Sequence, residues 1–148
     1  MNTNDKPKLQ DFHIEAVKHI TPSNTMEALN NNKAVLIDVR EETEVRIENI
    51  PLDNVLYHPM SVIMDRLEFI SKDQNIILGC PGGVRSTKVA NLLNRQGYPN
   101  VANLDGGFSK WKEQGFPFKS NISYNTIHSG CGCSCSSSKT EIEDGGCC

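Results

Sequence analysis

Long hydrophobic runs are missing from this sequence of 148 residues. No stretch approaches the roughly 20 consecutive apolar residues that span a lipid bilayer. The first twenty residues also lack the apolar segment of a secretory signal. The sequence therefore predicts a cytoplasmic protein that does not insert into membranes.

An excess of positive charge is also absent. The chain has 15 Lys and Arg against 18 Asp and Glu, which gives a formal net charge of −3 at pH 7. Nucleic-acid-binding proteins are usually basic because they must neutralise phosphates, so we expect no nucleic-acid partner. The hydrophobic fraction of 37% and the charged fraction of 22% are typical of a globular protein.

Cysteine is nearly absent from the first 130 residues, where Cys80 stands alone. The other five cysteines are concentrated near the C-terminus, as Cys131, Cys133, Cys135, Cys147 and Cys148. A disulfide framework would distribute its cysteines through the folded region. This distribution argues against such a framework, so Cys80 and the C-terminal cluster need separate explanations.

Short apolar runs alternate with segments of helical periodicity, which is typical of an α/β fold. Residues 34–39 and 76–78 are β-branched and apolar enough to be strands buried on both faces. Strands that alternate with helices predict a mostly parallel central sheet covered by helices on both faces. We expect one domain over residues 12–120, a flexible N-terminus over 1–11, and a Cys-rich tail without a fixed fold over 121–148.

Capping residues predict where the helices begin. Thr21 followed by Pro22 is a typical helix start. Ser61 is placed to cap a helix whose apolar positions begin at Ile63. A helix over residues 84–96 follows the strand that ends near Cys80. Ligands of parallel sheets bind at the C-terminal ends of the strands, which makes Cys80 the leading candidate for a functional residue.

Cys80 opens a glycine-rich turn, and we expect both glycines of that turn to take positive φ angles and bring backbone amides close to the sulfur. Pro81 has no N–H group and would stiffen the turn. Arg85 would stabilise a thiolate and dock an anionic substrate. The amides expected to surround an anionic sulfur are those of Gly82, Gly83, Val84, Arg85 and Ser86. A cysteine in such a loop can carry a phosphoryl group or a sulfur atom.

Three motifs resemble those of the rhodanese (sulfurtransferase) family. They are the loop 80–86, the early strand Leu36-Ile-Asp-Val-Arg40, and the segment Leu104-Asp-Gly-Gly-Phe108 with Trp111. The resemblance spans about residues 15–118 and implies the rhodanese-like α/β fold. It also implies that Asp38 and Arg40 support the loop rather than react, although a buried Asp–Arg pair is also a common purely structural feature.

The resemblance further implies sulfur transfer through a persulfide. Cys80 would take a sulfur atom from thiosulfate or another sulfane-sulfur donor and pass it to cyanide or a thiol. The implied partners are a small sulfur donor and a thiol acceptor, and no cofactor is required.

Three other interpretations of Cys80 remain open at this point. Cysteine phosphatases use a similar loop, and one group of them resembles rhodaneses in fold. Their loop places five residues between Cys and Arg, whereas four lie between Cys80 and Arg85, so this smaller ring fits a single sulfur better than a phosphate. A rhodanese-like domain kept only for binding or regulation is the second alternative. The third is a buried structural cysteine.

The C-terminal cysteines allow several roles. The alternating spacing of Cys131, Cys133 and Cys135 suits Cu(I) or Zn(II), with His128 as a further ligand. Alternatively, these thiols could accept sulfur from Cys80 or protect it from overoxidation. The terminal Cys147-Cys148 also resembles a double prenylation signal, although no polybasic stretch accompanies it.

Remaining residues of interest are assigned mostly structural roles. We expect Phe108 and Trp111 to lie in the core, and Gly106 and Gly107 to form a tight turn near the pocket. The histidines at positions 13 and 19 are expected at the surface, and His58 is interpreted as a solvated loop residue.

Overall fold

Five parallel strands form the central sheet of the computed structural model, which describes residues 1–121. The strand order is β1-β6-β5-β2-β4, so β5 lies at the centre of the sheet. The strands are β1 Lys18–Ile20, β2 Val35–Asp38, β3 Glu48–Asn49, β4 Val55–Tyr57, β5 Ile76–Gly79, β6 Val101–Leu104 and β7 Lys119–Ser120. The helices are α1 Pro22–Asn30, α2 Glu42–Ile47, a 3-10 helix Ile63–Phe69, α3 Val84–Arg95 and α4 Gly107–Glu113.

The sheet carries a separate apolar cluster on each face. Ala28 of α1 and Trp111 of α4 belong to one cluster, whereas Val89 and Leu93 of α3 belong to the other, together with Ile63 of the 3-10 helix. Every residue of β5 and β6 is buried, as a strand covered on both faces requires. The predicted parallel sheet with helices on both faces is confirmed.

The structure confirms the predicted start of α1 but not the predicted start of the 3-10 helix. The Thr21 side chain accepts a hydrogen bond of 3.3 Å from the backbone N–H of Asn24, as expected for a cap. The prediction for Ser61 is wrong, because the segment is a 3-10 helix preceded by Val62. The Ser61 hydroxyl instead donates to the Glu41 carboxylate at 2.8 Å, so a tertiary contact replaces the local cap.

The N-terminal segment, which the sequence predicts to be flexible over residues 1–11, contacts the domain in the structure. Asn4 forms a bridge with His19, and the backbone N–H groups of Lys8 and Leu9 donate to the buried carboxylate of Asp105 at 2.7 and 3.0 Å. Composition did not reveal this because the partner, Asp105, is almost 100 residues away in sequence.

The last described residues return to α2. β7 pairs with β3 in a small antiparallel sheet that the sequence did not indicate. Asn121 then donates hydrogen bonds of 2.8 and 2.9 Å to the carbonyl oxygens of Ile47 and Arg46. No helix within residues 1–121 is both long and apolar enough to cross a membrane.

Candidate active site

Cys80 lies directly after the central strand β5, and its side chain is only 1% exposed. The backbone N–H of Gly83 donates to its Sγ at 3.1 Å, and that of Ser86 at 3.4 Å. The amides of Gly82, Val84 and Arg85 do not make this contact within the described loop, so two of the five predicted donors face the sulfur. Two amides beside a buried sulfur favour its anionic forms.

The loop owes its shape to one glycine rather than two. Gly83 has a φ of +92° and immediately precedes α3, whereas Gly82 is not among the positive-φ glycines, so that part of the expectation is wrong. A Cβ atom at Gly82 would meet nothing within 4 Å, which leaves this side of the loop open. Val84 is 41% exposed beside it. The loop is thus exposed at Gly82 and Val84, whereas Cys80 itself is buried.

The start of α4 is hydrogen-bonded to the first two residues of the Cys80 loop. The backbone N–H of Phe108 donates to the Cys80 carbonyl at 2.8 Å, and that of Ser109 donates to the Pro81 carbonyl at 3.0 Å. Gly107, with a φ of +66°, lies so close that a Cβ atom there would be 2.4 Å from the Cys80 carbonyl oxygen. The predicted tight turn near the pocket is confirmed, and its glycine allows two backbones to approach each other.

Arg85 is bound by an acidic side chain that the sequence did not single out as its partner. Its guanidinium donates two hydrogen bonds of 2.8 Å to Glu44 of α2, and both side chains are about one-third exposed. The hydrogen bond from Arg85 lowers the pKa of Glu44 to about 2, and the same bond raises the pKa of Arg85. The positive charge expected to dock an anion is thus already paired with a carboxylate.

Asp38 and Arg40 form a buried ion pair below the loop. The Arg40 Nη2 atom donates to Asp38 Oδ2 at 2.8 Å and to the carbonyl oxygen of Glu48, also at 2.8 Å. The Arg40 guanidinium stacks 4.8 Å above the ring of Phe108, which itself adjoins Gly79 just before Cys80. The buried ion pair thus contacts an aromatic ring that lies against the strand leading into Cys80.

Behind Cys80 lies a polar cluster that sequence reasoning largely missed. The Cys80 Sγ is 3.2 Å from the Ser86 hydroxyl, which donates to Oδ1 of Asn103. Asn103 Nδ2 lies 3.1 Å from Nδ1 of His19, and His19 Nε2 lies 2.8 Å from Nδ1 of His13. A polar residue within the buried strand Val101–Leu104 was the available signal. The surface prediction for His19 is wrong, because this side chain is fully buried.

Burial also sets the protonation of His19. Desolvation lowers the pKa of His19 below its usual value, the neighbouring His13 lowers it further, and Asp105 opposes the shift. The lowered pKa favours the neutral form of His19, which can accept a hydrogen bond at Nδ1.

Among residues 1–121, no group of three or more His, Cys, Asp or Glu side chains is arranged to hold a metal ion. The predicted metal ligands Cys131, Cys133, Cys135, Cys147 and Cys148 lie outside the described residues. The loop residue His58 lies next to the end of β2, where its backbone N–H donates to the Asp38 carbonyl oxygen at 3.1 Å.

Comparison with known proteins identifies this arrangement. The family model of the rhodanese-like domain matches residues 21–114, which is more than half of the chain and includes the whole Cys80 loop. This chain belongs to the rhodanese-like family.

Relatives with assigned names extend the match. The chain is 36% identical to a sulfurtransferase of Allochromatium vinosum over 83 residues, covering 56% of this chain and 76% of that one. It is 34% identical to the thiosulfate sulfurtransferase GlpE of Pseudoalteromonas translucida, covering 66% of this chain and 90% of the relative. A rhodanese-like domain protein from Staphylococcus aureus has a solved structure with 33% identity and a TM-score of 0.60, covering 69% and 98% of the two chains.

Proposed function

We propose that this rhodanese-like protein transfers sulfane sulfur through a persulfide on Cys80. The Cys80 thiolate attacks the outer sulfur of thiosulfate, the S–S bond of the donor breaks, and sulfite leaves with the electron pair. The persulfide then gives its outer sulfur to cyanide or to a thiolate, which regenerates the Cys80 thiolate. The observation that carries this proposal is the pair of backbone amides, from Gly83 and Ser86, directed at the Cys80 sulfur.

Intact mass spectrometry tests the proposal directly. After incubation with thiosulfate, or with another sulfane-sulfur donor, the wild-type chain should gain the mass of at least one sulfur atom. The Cys80→Ser variant, which keeps all five C-terminal cysteines, should gain nothing. If the wild type gains no sulfur from any of these donors, Cys80 is not a sulfur carrier.

The short loop disfavours phosphatase activity. The turn between Cys80 and Arg85 is one residue shorter than in cysteine phosphatases, and Arg85 is already held by the Glu44 carboxylate on both sides of its fork. A phosphate would compete with that carboxylate for the same donors. Hydrolysis of an aryl phosphate that disappears in Cys80→Ser would overturn the assignment, whereas inactivity with both substrate classes would favour a binding module.

The C-terminal thiols are proposed as the acceptor of this sulfur. Asn121 is bound to α2, the helix whose Glu44 contacts Arg85 of the loop, so the chain leaves the described domain near the site. Ten further residues lead to Cys131, and an extended chain of that length reaches up to about 33 Å. A tail thiol would attack the outer sulfur of the Cys80 persulfide, and the S–S bond of that persulfide would break. The products would be a Cys80 thiol and a tail persulfide.

Replacing the five tail cysteines by serine tests the acceptor. The persulfide on Cys80 should outlast that of the wild type, and peptide mapping of the wild type should find the extra sulfur on the tail. Equal lifetimes in the two proteins would refute the acceptor role. Copper or zinc bound by the wild type and not by the serine variant would instead support the metal-binding alternative.

A further inference from the structure

A chain of hydrogen bonds fixes the direction of the hydroxyl group next to Cys80, and it starts from backbone atoms whose roles cannot change. The N–H of Gly106 donates to Gln10 Oε1 at 2.9 Å. Gln10 Nε2 in turn donates to the carbonyl oxygens of Phe12 and Gly83, at 2.8 and 3.3 Å. A backbone amide can only donate and a carbonyl can only accept, so the orientation of the Gln10 amide is determined.

The orientation of Asn103 follows from that of Gln10. Because Gln10 Oε1 is an acceptor, the Asn103 atom 3.0 Å away must be the donor Nδ2. The same Nδ2 also donates to Nδ1 of the neutral His19, 3.1 Å away. Asn103 Oδ1 is therefore left facing the Ser86 hydroxyl, and it can only accept.

The Ser86 hydroxyl has a single hydrogen, which is directed to Asn103 Oδ1. Toward Cys80 Sγ, 3.2 Å away, it can therefore offer only a lone pair. That lone pair accepts a hydrogen bond from the protonated thiol and repels the thiolate. Both Ser86 and Asn103 are fully buried, so water does not replace either partner.

We propose that Gln10 and Asn103 are positioning residues that hold Ser86 as an acceptor toward Cys80 and so restrain formation of the thiolate. The proposal concerns the nucleophile of the proposed function and deepens it. The amides of Gly83 and Ser86 favour the anionic sulfur, while the Ser86 hydroxyl favours the thiol. The N-terminal segment, through Gln10, is thereby linked to the reactivity of Cys80.

The pH dependence of alkylation at Cys80 measures this restraint. The full chain is treated with iodoacetamide over a pH series above 6.5, a range in which His19 stays neutral, while Arg85 stays charged and paired with Glu44. Modification is read by mass spectrometry on the tryptic peptide 73–85, which contains Cys80. The peptide 120–139, with three tail cysteines, provides an internal reference in the same digest.

The direction in which each variant shifts the alkylation midpoint of Cys80 tests the proposal. In Asn103→Leu the hydroxyl hydrogen of Ser86 is released and can turn to the sulfur, where a hydrogen bond to the charged thiolate stabilises it. The alkylation midpoint should move about one pH unit or more to lower pH, which makes Cys80 about tenfold faster at pH values below both midpoints. Ser86→Ala removes the acceptor of the thiol and should move the midpoint in the same direction by less.

The double variant separates this mechanism from general loosening of the fold. In the Ser86→Ala background, Asn103→Leu should cause no further shift, because its effect passes through the hydroxyl. If Ser86 instead donates to the sulfur in the wild type, Ser86→Ala removes that donor and shifts the midpoint to higher pH. Either that result, or a full shift that persists without Ser86, overturns the proposal.

Gln10→Ala covers the case in which Asn103→Leu does not fold, since Gln10 is only partly buried. Without Gln10 the Asn103 amide is held only by Nδ1 of His19, and a change of the His19 tautomer lets that amide turn over and donate to Ser86, so the midpoint should again move to lower pH. An unchanged midpoint in a folded Gln10→Ala protein refutes the proposal. Alkylation needs no sulfur donor, so loss of the proposed sulfur transfer and loss of this restraint are observed separately.

Discussion

Replacing Glu44 by glutamine tests whether this carboxylate limits the use of anionic sulfur donors. In the structure both carboxylate oxygens of Glu44 accept hydrogen bonds of 2.8 Å from Arg85. The arginine charge is therefore balanced before any substrate arrives. Glutamine keeps the size of the side chain and one acceptor oxygen, but it removes the negative charge.

The expected magnitude follows from Coulomb's law. An anion bound on the open side of the guanidinium would lie roughly 7 Å from the Glu44 carboxylate, where a dianion is repelled by about 1 to 2 kcal/mol in a largely aqueous setting. Removing that repulsion should raise kcat/KM for thiosulfate by about 5- to 30-fold. Benzenethiosulfonate carries half the charge of thiosulfate, so its gain should be only about 2- to 5-fold.

The assay compares kcat/KM for the two donors with cyanide as acceptor, at low and at high salt. The matched control is Glu42→Gln, which makes the same charge change on the same helix in an exposed pair with Arg46. That control should change either rate by less than about twofold. Equal gains for both donors, or a decrease in Glu44→Gln, would refute the electrostatic reasoning and assign Glu44 to positioning Arg85.

Three further predictions concern stability, measured by urea unfolding. The pKa of Glu44 falls to about 2 in the folded protein from an ordinary 4.5. The ionised Glu44 therefore adds fully to the free energy of unfolding above pH 4.5, and this stabilisation is lost as the pH falls toward 2. Over that window the free energy of unfolding should fall by up to about 1 kcal/mol more in the wild type than in Glu44→Gln. Gly107→Ala should cost more than about 2 kcal/mol, because it combines a positive φ with a backbone clash, whereas Gly115→Ala has a similar φ of +84° in open space and should cost about 1 kcal/mol. Arg40→Lys should lower the free energy of unfolding by about 2 to 3 kcal/mol, because an ammonium group cannot reproduce the bidentate contact with Asp38. Equal stability of variant and wild type would show that the pair contributes nothing beyond charge.

Local patterns were sufficient for most of the sheet and for the location of Cys80. The apolar runs that became β2 and β5 have few alternatives, since a short β-branched segment is stable mainly as a buried strand. The Thr21-Pro22 helix start also depends only on neighbouring residues. Where the partner is distant, the local reading failed: Ser61 contacts Glu41 rather than capping a helix, and residues 8 and 9 contact Asp105.

The sequence by itself determined that a single cysteine follows a buried strand, that glycines and an arginine come next, and that the loop is too short for the phosphatase pattern. These are features of spacing and residue type, which the chain carries before it folds. Only the tertiary structure decided what each group faces: Arg85 faces Glu44, and the Ser86 hydroxyl faces Asn103. Hydrogen-bond direction and charge pairing depend on atoms brought together from distant parts of the chain, so no local pattern can specify them.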